Sequence, residues 1–315
     1  MITSQTTSQS TLTRKGDLKP SMEQTADSAQ PFAIFGSGYS ALNIPFEVDQ
    51  SGKAYIRGRV NGSADLRILL DTGVATMFVI DRTQAETLNL KLIEGYQVQG
   101  SGRARSSAAV AKDVTITLPG ITLEHIDAIT MSQYKPDAGK ERDAILGCEF
   151  FKNFIVLMDY QKKIMNVYDT RAYEDKGTFE MVAVSFKEGL PYVRAKVGLS
   201  SDQAIEAEFH LDSGSGIAAQ FQFRFVTQNR LLARFPELQI GTTVGEGGEI
   251  KTAFVSAESV EVGSLKLLSP LIGLEMESSG SLVSNQSPGW LGAPIFKGSK
   301  VVFDFPHQRI LLEKK

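Results

Sequence analysis

Hydrophobic positions fall in short runs rich in β-branched and aromatic residues, separated by glycine turns such as Asn61-Gly62. This alternation of apolar runs and tight turns is typical of β-strands joined by hairpins. Helical periodicity is sparse. One short helix is predicted from Thr83, where Thr83 and Glu86 form a capping box, and a second is predicted around residues 226–235. The pattern therefore predicts a mostly β fold with one short helix in each half.

The second half of the chain repeats landmarks of the first. An apolar run ends in a polar turn twice, once at Asp71-Thr72-Gly73 and once at Asp212-Ser213-Gly214. Further landmarks recur at an offset of 145 residues, namely Gly100-x-Gly102 and Gly245-x-Gly247, Ile145-Leu146-Gly147 and Trp290-Leu291-Gly292, and Asp159 and Asp304. Landmarks that keep one order and nearly one spacing indicate an internal duplication.

The repeat predicts a division of the chain into four parts. Residues 1–43 form an N-terminal tail, expected to be largely disordered because its beginning is rich in Ser, Thr and Gln. Residues 44–169 form a first lobe and residues 181–315 a second lobe. Residues 170–180 are the linker between them.

Composition and charge narrow the classes of partner and compartment. A formal net charge of −3, with Lys and Arg scattered along the chain, gives no reason to expect nucleic acid or an anionic membrane as partner. The longest apolar stretches are too short to cross a bilayer. The single cysteine, Cys148, excludes an intramolecular disulfide. Residues 1–30 lack the apolar core of a signal peptide, so the default expectation is a cytoplasmic protein, or an exported one if a leader was removed.

The two Asp-Thr/Ser-Gly triplets are the candidate chemistry. One such triplet alone is a weak signal, because Asp, Ser and Gly are turn formers that often just end a strand. Here the triplet occurs twice, at matching positions of the repeat, each time after an apolar strand. Each copy is followed 76 or 80 residues later by the glycine of an apolar-apolar-Gly triplet. This combination favours a paired function for Asp71 and Asp212.

These motifs resemble those of the retropepsin-like and pepsin-like aspartic peptidases, and are most similar to bacterial retropepsin-like proteins. The resemblance runs from Ile44 to the C-terminus and implies a bilobal acid-protease fold, with two retropepsin-like β-barrel lobes related by a pseudo-twofold axis. It implies that Asp71 and Asp212 are catalytic. It assigns support of the active-site loops to the residues that follow each aspartate, namely Thr72, Gly73, Ser213, Gly214 and Ser215.

The resemblance also implies how the reaction runs. Two adjacent carboxyl groups share one proton, since both cannot ionise cheaply. The ionised group activates water and the protonated group donates toward the scissile carbonyl. No cofactor, metal ion or covalent intermediate is implied. Because one chain holds both lobes, a monomer acting on a polypeptide substrate is expected.

A flap over the substrate is a further implication of the resemblance. Gly100 and Gly102 in the first lobe, and Gly245 and Gly247 in the second, fall where a glycine-rich flap hairpin would lie, although ordinary glycine turns explain each pair equally well. Tyr96 is either a flap aromatic that contacts substrate or a tyrosine of the core or surface.

The two loops differ three residues after the aspartate. Ser215 offers a hydroxyl that could bond the Asp212 carboxylate, whereas Val74 is bulkier and offers none. Val74 is therefore expected to affect the catalytic efficiency and the pH optimum of the enzyme more than the type of reaction.

Other leads are weaker. Residues 36–41 fit a dinucleotide fingerprint, but Pro45 and a strand pattern follow where a helix is required. The three histidines are isolated, so no zinc site is predicted. His210 shares a strand face with Asp212 and is interpreted as a satisfied histidine near the lobe interface, and Cys148 as a buried, inert thiol in a packed strand.

Three functions remain open at this point. The leading one is an active aspartic endopeptidase. The second is a catalytically weak or inactive peptide-binding protein of the same fold, and the third is a narrowly specific enzyme matured or regulated through its N-terminal tail.

Overall fold

The computed structural model describes residues 3–5, 11–14, 32–100, 105–131, 142–175, 178–200, 202–245, 247–278 and 287–314. Strands dominate this part of the chain, which confirms the predicted mostly β class. The strands are β1 (Thr3–Gln5), β2 (Thr11–Arg14), β3 (Phe32–Phe35), β4 (Ser40–Pro45), β5 (Glu47–Val48), β6 (Ala54–Val60), β7 (Leu66–Asp71), β8 (Phe78–Asp81), β9 (Leu92–Gln99), β10 (Arg105–Leu118), β11 (Ile121–Met131), β12 (Ala144–Gly147), β13 (Ile155–Asp159), β14 (Ile164–Tyr168), β15 (Phe179–Lys187), β16 (Leu190–Ser200), β17 (Gln203–Asp212), β18 (Ala219–Phe221), β19 (Gln239–Gly245), β20 (Gly248–Ser256), β21 (Ser259–Val262), β22 (Leu265–Leu268), β23 (Leu271–Glu275), β24 (Gly289–Gly292), β25 (Lys300–Asp304) and β26 (Arg309–Glu313).

The helices in the described residues are short. The α-helices are α1 (Arg82–Thr87), α2 (Cys148–Asn153) and α3 (Phe223–Gln228), and the 3₁₀ helices are Leu231–Arg234, Ala293–Phe296 and Phe305–His307. None of these helices is long and apolar enough to span a bilayer.

The described strands form two sheets. The 10-stranded sheet has the order β2-β9-β10-β11-β8-β12-β7-β6-β5, with β3 beside β11. The 16-stranded sheet has the order β1-β19-β20-β23-β18-β24-β17-β16-β15-β26-β25-β13-β14-β4, with β21 beside β16 and β22 beside β21. In the second sheet β13 pairs antiparallel with β25, so Val156 lies opposite Phe303 and strands of the two halves of the chain are joined directly.

The two halves share one pairing pattern. In the first half β12 pairs parallel with β7 and antiparallel with β8. In the second half β24 pairs in the same way with β17 and β18. The strands that carry the two aspartates therefore have equivalent neighbours.

Phenylalanines fill the core where α2 meets the joined strands. The rings of Phe151 and Phe303 are 5.3 Å apart, and that of Phe305 is 5.8 Å from Phe303. Phe151 and Phe303 are fully buried, and burial of one such side chain contributes about 1.5–3 kcal/mol. This cluster stabilises the junction between the two halves.

The helices differ in detail from the sequence prediction. The prediction of a capping box at Thr83 is wrong, because α1 begins at Arg82 and Thr83 lies inside the helix. The helix begins as soon as strand pairing ends, at Asp81, whose N–H donates to the Asp143 carbonyl at 3.0 Å. The exposed Arg82–Glu86 pair then bridges one helical turn at 2.9 Å.

The second predicted helix is divided in two. It begins at Phe223, three residues before the predicted start, and ends at Gln228. The chain then passes through Arg230 in a left-handed conformation, with φ of 51°, and re-enters a 3₁₀ helix. The prediction that Cys148 lies in a strand is also wrong, since it is the first residue of α2, although its side chain is buried as expected.

Candidate active site

Each candidate aspartate is the last residue of a buried strand. Asp71 ends β7 and Asp212 ends β17, and both side chains are buried, with 0% and 1% of their surface exposed. In the pairing registers, Gly147 lies opposite Asp71 and Gly292 lies opposite Asp212. The apolar strands thus deliver the two carboxyl groups at equivalent places in their sheets.

The opposing glycines allow the aspartate loops to close tightly. A Cβ on Gly147 would lie 2.2 Å from the Thr76 carbonyl oxygen, and a Cβ on Gly292 would lie 2.1 Å from that of Ile217. The N–H of Gly147 donates to the Met77 carbonyl at 2.9 Å. Only glycine fits at these two positions, because a side chain would collide with the backbone of the loop.

Each motif contacts the carboxyl group of the other. A Cβ on Gly73 would lie 2.5 Å from Asp212 Cγ, and a Cβ on Gly214 would lie 2.2 Å from Asp71 Oδ2. Within each motif, the N–H of Gly73 donates to Asp71 Oδ1 at 2.8 Å, and the N–H of Gly214 donates to Asp212 Oδ1 at 3.0 Å. Two carboxyl groups distant in sequence therefore meet in one buried site.

Thr72 and Ser213 tie the two motifs together with four hydrogen bonds. The N–H of Thr72 donates to Ser213 Oγ, and the N–H of Ser213 donates to Thr72 Oγ1, both at 3.0 Å. Thr72 Oγ1 donates to the Leu211 carbonyl at 2.6 Å, and Ser213 Oγ donates to the Leu70 carbonyl at 3.0 Å. The exchange is reciprocal, so it fixes the two loops relative to each other.

The site favours the neutral form of one carboxyl group. Burial raises the pKa of Asp212 well above its usual range, and the Asp71 carboxyl adds to this both through its charge and through a hydrogen bond. The N–H groups of Gly214 and Ser215 act in the opposite direction but do not offset these effects. The pair therefore holds a proton at a pH where an isolated aspartate would be ionised.

Val74 and Ser215 play different parts in the two loops. Val74 is buried in an apolar cluster with members of the β9–β10 hairpin, against which the half-buried Tyr96 packs. Ser215 Oγ accepts a hydrogen bond from the N–H of Ile217 at 3.4 Å, and it is the backbone N–H of Ser215 that stabilises the ionised form of Asp212.

The predicted flap residues that the structure describes lie on or next to two antiparallel strand pairs, β9–β10 and β19–β20. Gly100 directly follows β9, and Gly102 lies outside the described residues. Gly245 ends β19, and Gly247 lies in the turn toward β20 with φ of 93°. Tyr96 lies on β9, in the same apolar cluster as Val74, so the structure brings this part of the first hairpin to the Asp71 loop.

His210 is a buried histidine on β17, two residues before Asp212. Its ring is fully buried, 5.6 Å from that of Tyr192, and lies opposite Trp290 in the strand pairing. Burial lowers the pKa of His210 to about 3. The imidazole is therefore neutral beside the strand end that carries Asp212.

Some residues of the site act through backbone atoms, which a sequence pattern does not reveal. The carbonyls of Leu70 and Leu211 accept the cross-motif hydrogen bonds. The Val74 carbonyl accepts the N–H of Cys148 at 2.6 Å, and the Ser215 carbonyl accepts that of Ala293 at 2.8 Å. In the sequence, only the matched positions of the two apolar-apolar-Gly triplets hint at these contacts.

Comparison with known proteins finds one similar family model and similar solved structures. Residues 56–150, less than half of the chain, match the family model described as aspartyl protease, and they include Asp71 and Gly147. The crystal structure of the aspartic proteinase from Irpex lacteus is similar in fold, with a TM-score of 0.54 over 88% of this chain and 97% of that chain, at 9% sequence identity. A search of curated proteins finds no matching sequence. Residues 56–150 are thus similar in sequence to aspartyl proteases, and the chain is similar in fold to an aspartic proteinase.

Proposed function

We propose that the chain is an aspartic endopeptidase, which hydrolyses peptide bonds with a water molecule activated by Asp71 and Asp212. The observation that carries the proposal is the convergence of two buried carboxyl groups, each held by an N–H of its own motif and touched by the glycine of the other. The family match and the fold support protease activity in general.

The paired carboxyl groups supply both proton transfers that amide hydrolysis needs. The ionised carboxylate takes a proton from the attacking water, while the protonated group donates its proton to the carbonyl oxygen. The resulting gem-diol collapses when its C–N bond breaks: the carboxyl group that now holds the proton gives it to the leaving nitrogen, and the other carboxylate takes a proton from a gem-diol hydroxyl, which restores the single shared proton. The proton belongs to the pair, so neither Asp71 nor Asp212 is assigned as the permanent acid.

Catalysis of this kind depends on rigid placement of the two groups. The four hydrogen bonds that Thr72 and Ser213 make across the two motifs hold the loops in register. Groups that are already oriented do not lose orientational freedom during the reaction, and this lowers the barrier. Residues 72–73 and 213–215 therefore support the pair without exchanging protons themselves.

The proposed architecture is bilobal, with a pseudo-twofold axis that passes between the two aspartates. Its support is the equivalent pairing of β7, β12 and β8 with β17, β24 and β18. Residues 44–169 and 181–315 are the proposed lobes, linked by residues 170–180. One chain supplies both aspartates, so a monomer suffices and the reaction requires no cofactor.

The proposed substrate is an extended polypeptide that lies between the aspartates and the two glycine-bearing hairpins. Tyr96 extends the apolar surface of the first hairpin toward the Asp71 loop. In this proposal the hairpins cover the bound peptide and exclude water from the site, which strengthens the electrostatic interactions within it.

A peptide library tests the proposal. The wild-type chain is expected to cleave defined internal bonds between mildly acid and neutral pH, as read by mass spectrometry. A statine-type mimic of the tetrahedral intermediate is expected to inhibit this cleavage far more strongly than the matching substrate binds, because it resembles the transition state. Absence of any cleavage across this pH range contradicts the proposal and favours a peptide-binding protein that has lost catalysis.

A further inference from the structure

An apolar cluster connects the Asp71 loop with the β9–β10 strand pair in the first half of the chain. Its members include Val74 of the loop and, on the neighbouring strands, Leu69, Val79, Val98 and Met131. Leu69 lies two residues before the aspartate on β7, so both side chains point to the same face of the sheet. The cluster therefore forms a wall of the space between the Asp71 loop and this strand pair.

The strand registers locate the same positions in the second half. In each half, the strand of the apolar-apolar-Gly triplet lies between the aspartate strand and the strand that follows the aspartate loop. Residues that lie opposite each other in this row form three equivalent pairs, Leu69 and His210, Ile145 and Trp290, and Val79 and Gln220. The next strands, β11 and β23, make Met131 equivalent to Glu275. Val98 and Thr243 are related by the offset of 145 residues.

The second half has polar side chains where the first half has apolar ones. Four apolar members of the first cluster, in the order Val74, Val79, Val98 and Met131, correspond to Ser215, Gln220, Thr243 and Glu275. All four polar residues are buried, and the most exposed of them, Thr243, has 2% of its surface exposed. Burial of polar groups costs free energy unless they form hydrogen bonds. The partners of these groups therefore show what the second wall can bind.

Part of the polar cluster is satisfied within the protein. Gln220 Nε2 donates to Thr243 Oγ1 at 3.3 Å and to Glu275 Oε1 at 3.4 Å. The N–H of Phe223 donates to Glu275 Oε2 at 3.0 Å. The amide nitrogen of Gln220 therefore faces Thr243 and Glu275, and this orientation fixes the place of its oxygen.

Two buried polar atoms of the cluster make no hydrogen bond within the described part of the chain. They are Gln220 Oε1, which is an acceptor, and Trp290 Nε1, which is a donor. The two residues lie opposite each other in the pairing of β18 with β24, so their side chains are neighbours on one face. Gly273, on the other side of Gln220, has no side chain, and a Cβ there would lie 3.1 Å from Gln220 Oε1. A ligand group that donates one hydrogen bond and accepts another would satisfy both atoms.

We propose that the polar cluster around Gln220 and Trp290 binds a substrate side chain that carries a carboxamide, as in Asn or Gln. The carboxamide N–H donates to Gln220 Oε1, and its carbonyl accepts from Trp290 Nε1. The side chain enters between the Asp212 loop and the β19–β20 strand pair when this pair lifts. The inference rests on the proposed function for the nature of the ligand, a polypeptide.

The two walls then recognise different side chains. The cluster beside Asp71 is apolar, whereas the cluster beside Asp212 contains the two buried atoms that need hydrogen-bond partners. A site built to form hydrogen bonds rejects a ligand that lacks them, because its own buried groups are left unpaired. We expect a preference for Asn or Gln on one side of the cleaved bond and for an apolar residue on the other.

The fluorescence of Trp290, the one tryptophan of the chain, reports on this cluster. The full-length chain is titrated with statine-centred peptides that differ in one side chain, which is Asn, Leu or Asp, placed in turn at two positions on each side of the statine. These three side chains are similar in size, but Leu forms no hydrogen bond and the Asp carboxylate donates none. The Asn peptide is expected to bind on the order of tenfold more tightly than the other two, at a position on one side only.

A substitution taken from the first half tests the role of Gln220. Gln220→Val introduces the residue that Val79 provides at the equivalent position. The variant is expected to lose the preference for Asn over Leu while it binds the Leu peptide like wild type, which also shows that it is folded. Gln239→Val makes the same exchange at an exposed position of β19 and is expected to keep the preference. If Gln220→Val does not fold, the ranking of the three peptides by wild type still decides.

The outcomes separate this inference from the proposed function. Equal affinities for the Asn and Leu peptides at every position, tighter binding of the Asp peptide, or an unchanged preference in folded Gln220→Val would overturn the carboxamide site. Cleavage of a peptide library without a preference for Asn or Gln on one side would also overturn it and leave the peptidase function standing. Binding with the expected preference, in a chain that cleaves no peptide, would overturn the function and leave the site standing.

Discussion

Two buried ionisable side chains at the end of β17 have pKa values shifted in opposite directions. The pKa of Asp212 is raised by burial and by Asp71, so this position favours a bound proton. The pKa of His210, two residues earlier, is lowered to about 3 by burial, so its imidazole binds no proton. Their opposite shifts have opposite effects on the pH dependence of stability.

Asp212→Asn is expected to stabilise the protein above the usual pKa range of aspartate. The raised pKa gives the wild-type folded state a stability that is present at low pH and is lost as pH rises through the folded-state pKa. Asparagine carries no charge and avoids this loss. Urea unfolding at several pH values would show that the free energy of unfolding of Asp212→Asn exceeds that of wild type by an amount that grows with pH. The substitution Asp65→Asn, at an exposed aspartate, is the control. An equal effect at every pH would contradict the raised pKa.

His210→Gln is expected to flatten the stability profile between pH 6.5 and 5. The folded-state pKa of about 3 lies below the ordinary value of 6.5, so wild type loses stability as pH falls and the unfolded chain takes up a proton. The slope attributable to this residue is at most about 1.4 kcal/mol per pH unit. Denaturant midpoints measured across this window test it, with His125→Gln as the matched control. A slope equal to that of wild type would place the His210 ring in water.

At the scale of elements, the close contacts between β12 and the Asp71 loop explain why Gly147 follows Ile145 and Leu146. The Gly147 N–H donates to the Met77 carbonyl, and its Cα faces the Thr76 carbonyl without room for a side chain. The equivalent contact at Gly292 has the same geometry. These strands position the aspartates through backbone contact.

Gly147→Ala is expected to destabilise the fold by about 1–3 kcal/mol or more, because the added Cβ would lie 2.2 Å from a backbone oxygen. Gly36→Ala is the control, since a Cβ there would meet its nearest atom at an ordinary 3.7 Å. The control is expected to change stability by less than about 0.5 kcal/mol. Denaturant unfolding of both variants measures the difference, and equal stabilities would contradict the steric account.

Sequence reasoning anticipated strand content better than helix boundaries. Period-2 apolar runs and glycine turns predicted a mostly β chain, because these signals are local. The start of α3 depends on a distant residue, since the N–H of Phe223 donates to Glu275 Oε2 at 3.0 Å. The place of Cys148 in α2 likewise depends on its N–H bond to the Val74 carbonyl. No local pattern encodes contacts between residues so far apart in the sequence.

In the candidate site, too, the sequence pattern identified residues but not their contacts. Repetition of the triplet singled out Asp71 and Asp212, and the structure brings them together. The role of Val74 in packing against the β9–β10 hairpin needed three-dimensional contacts. The sequence showed that the Ser215 hydroxyl could bond Asp212, whereas in the structure it accepts the N–H of Ile217.

At the scale of the whole molecule, hydrogen bonds between the two motifs connect halves of the chain about 140 residues apart. Thr72 and Ser213 are separated by 141 residues and exchange their bonds reciprocally. The junction also includes the buried phenylalanines and the pairing of β13 with β25. Stability of the junction and geometry of the site are therefore coupled.

Thr72→Val is expected to cost about 1–3 kcal/mol for each buried partner that it leaves unsatisfied, since the Leu211 carbonyl and the Ser213 N–H both lose a bond. Thr72→Ser keeps the hydroxyl and is the control. The double variant Thr72→Val and Ser213→Ala is expected to cost less than the sum of the single variants, because the residues share one network. Strict additivity in denaturant unfolding would contradict a shared network.

The catalytic pairing of Asp71 and Asp212 is the central claim, and kcat/KM of folded Asp71→Asn and Asp212→Asn measured on a peptide that wild type cleaves tests it most directly. Each substitution keeps the shape of the side chain but removes one partner in proton transfer. The account predicts a fall on the order of 10²–10⁴-fold or more for either variant, with Asp65→Asn equal to wild type. Wild-type kcat/KM in either active-site variant would contradict it.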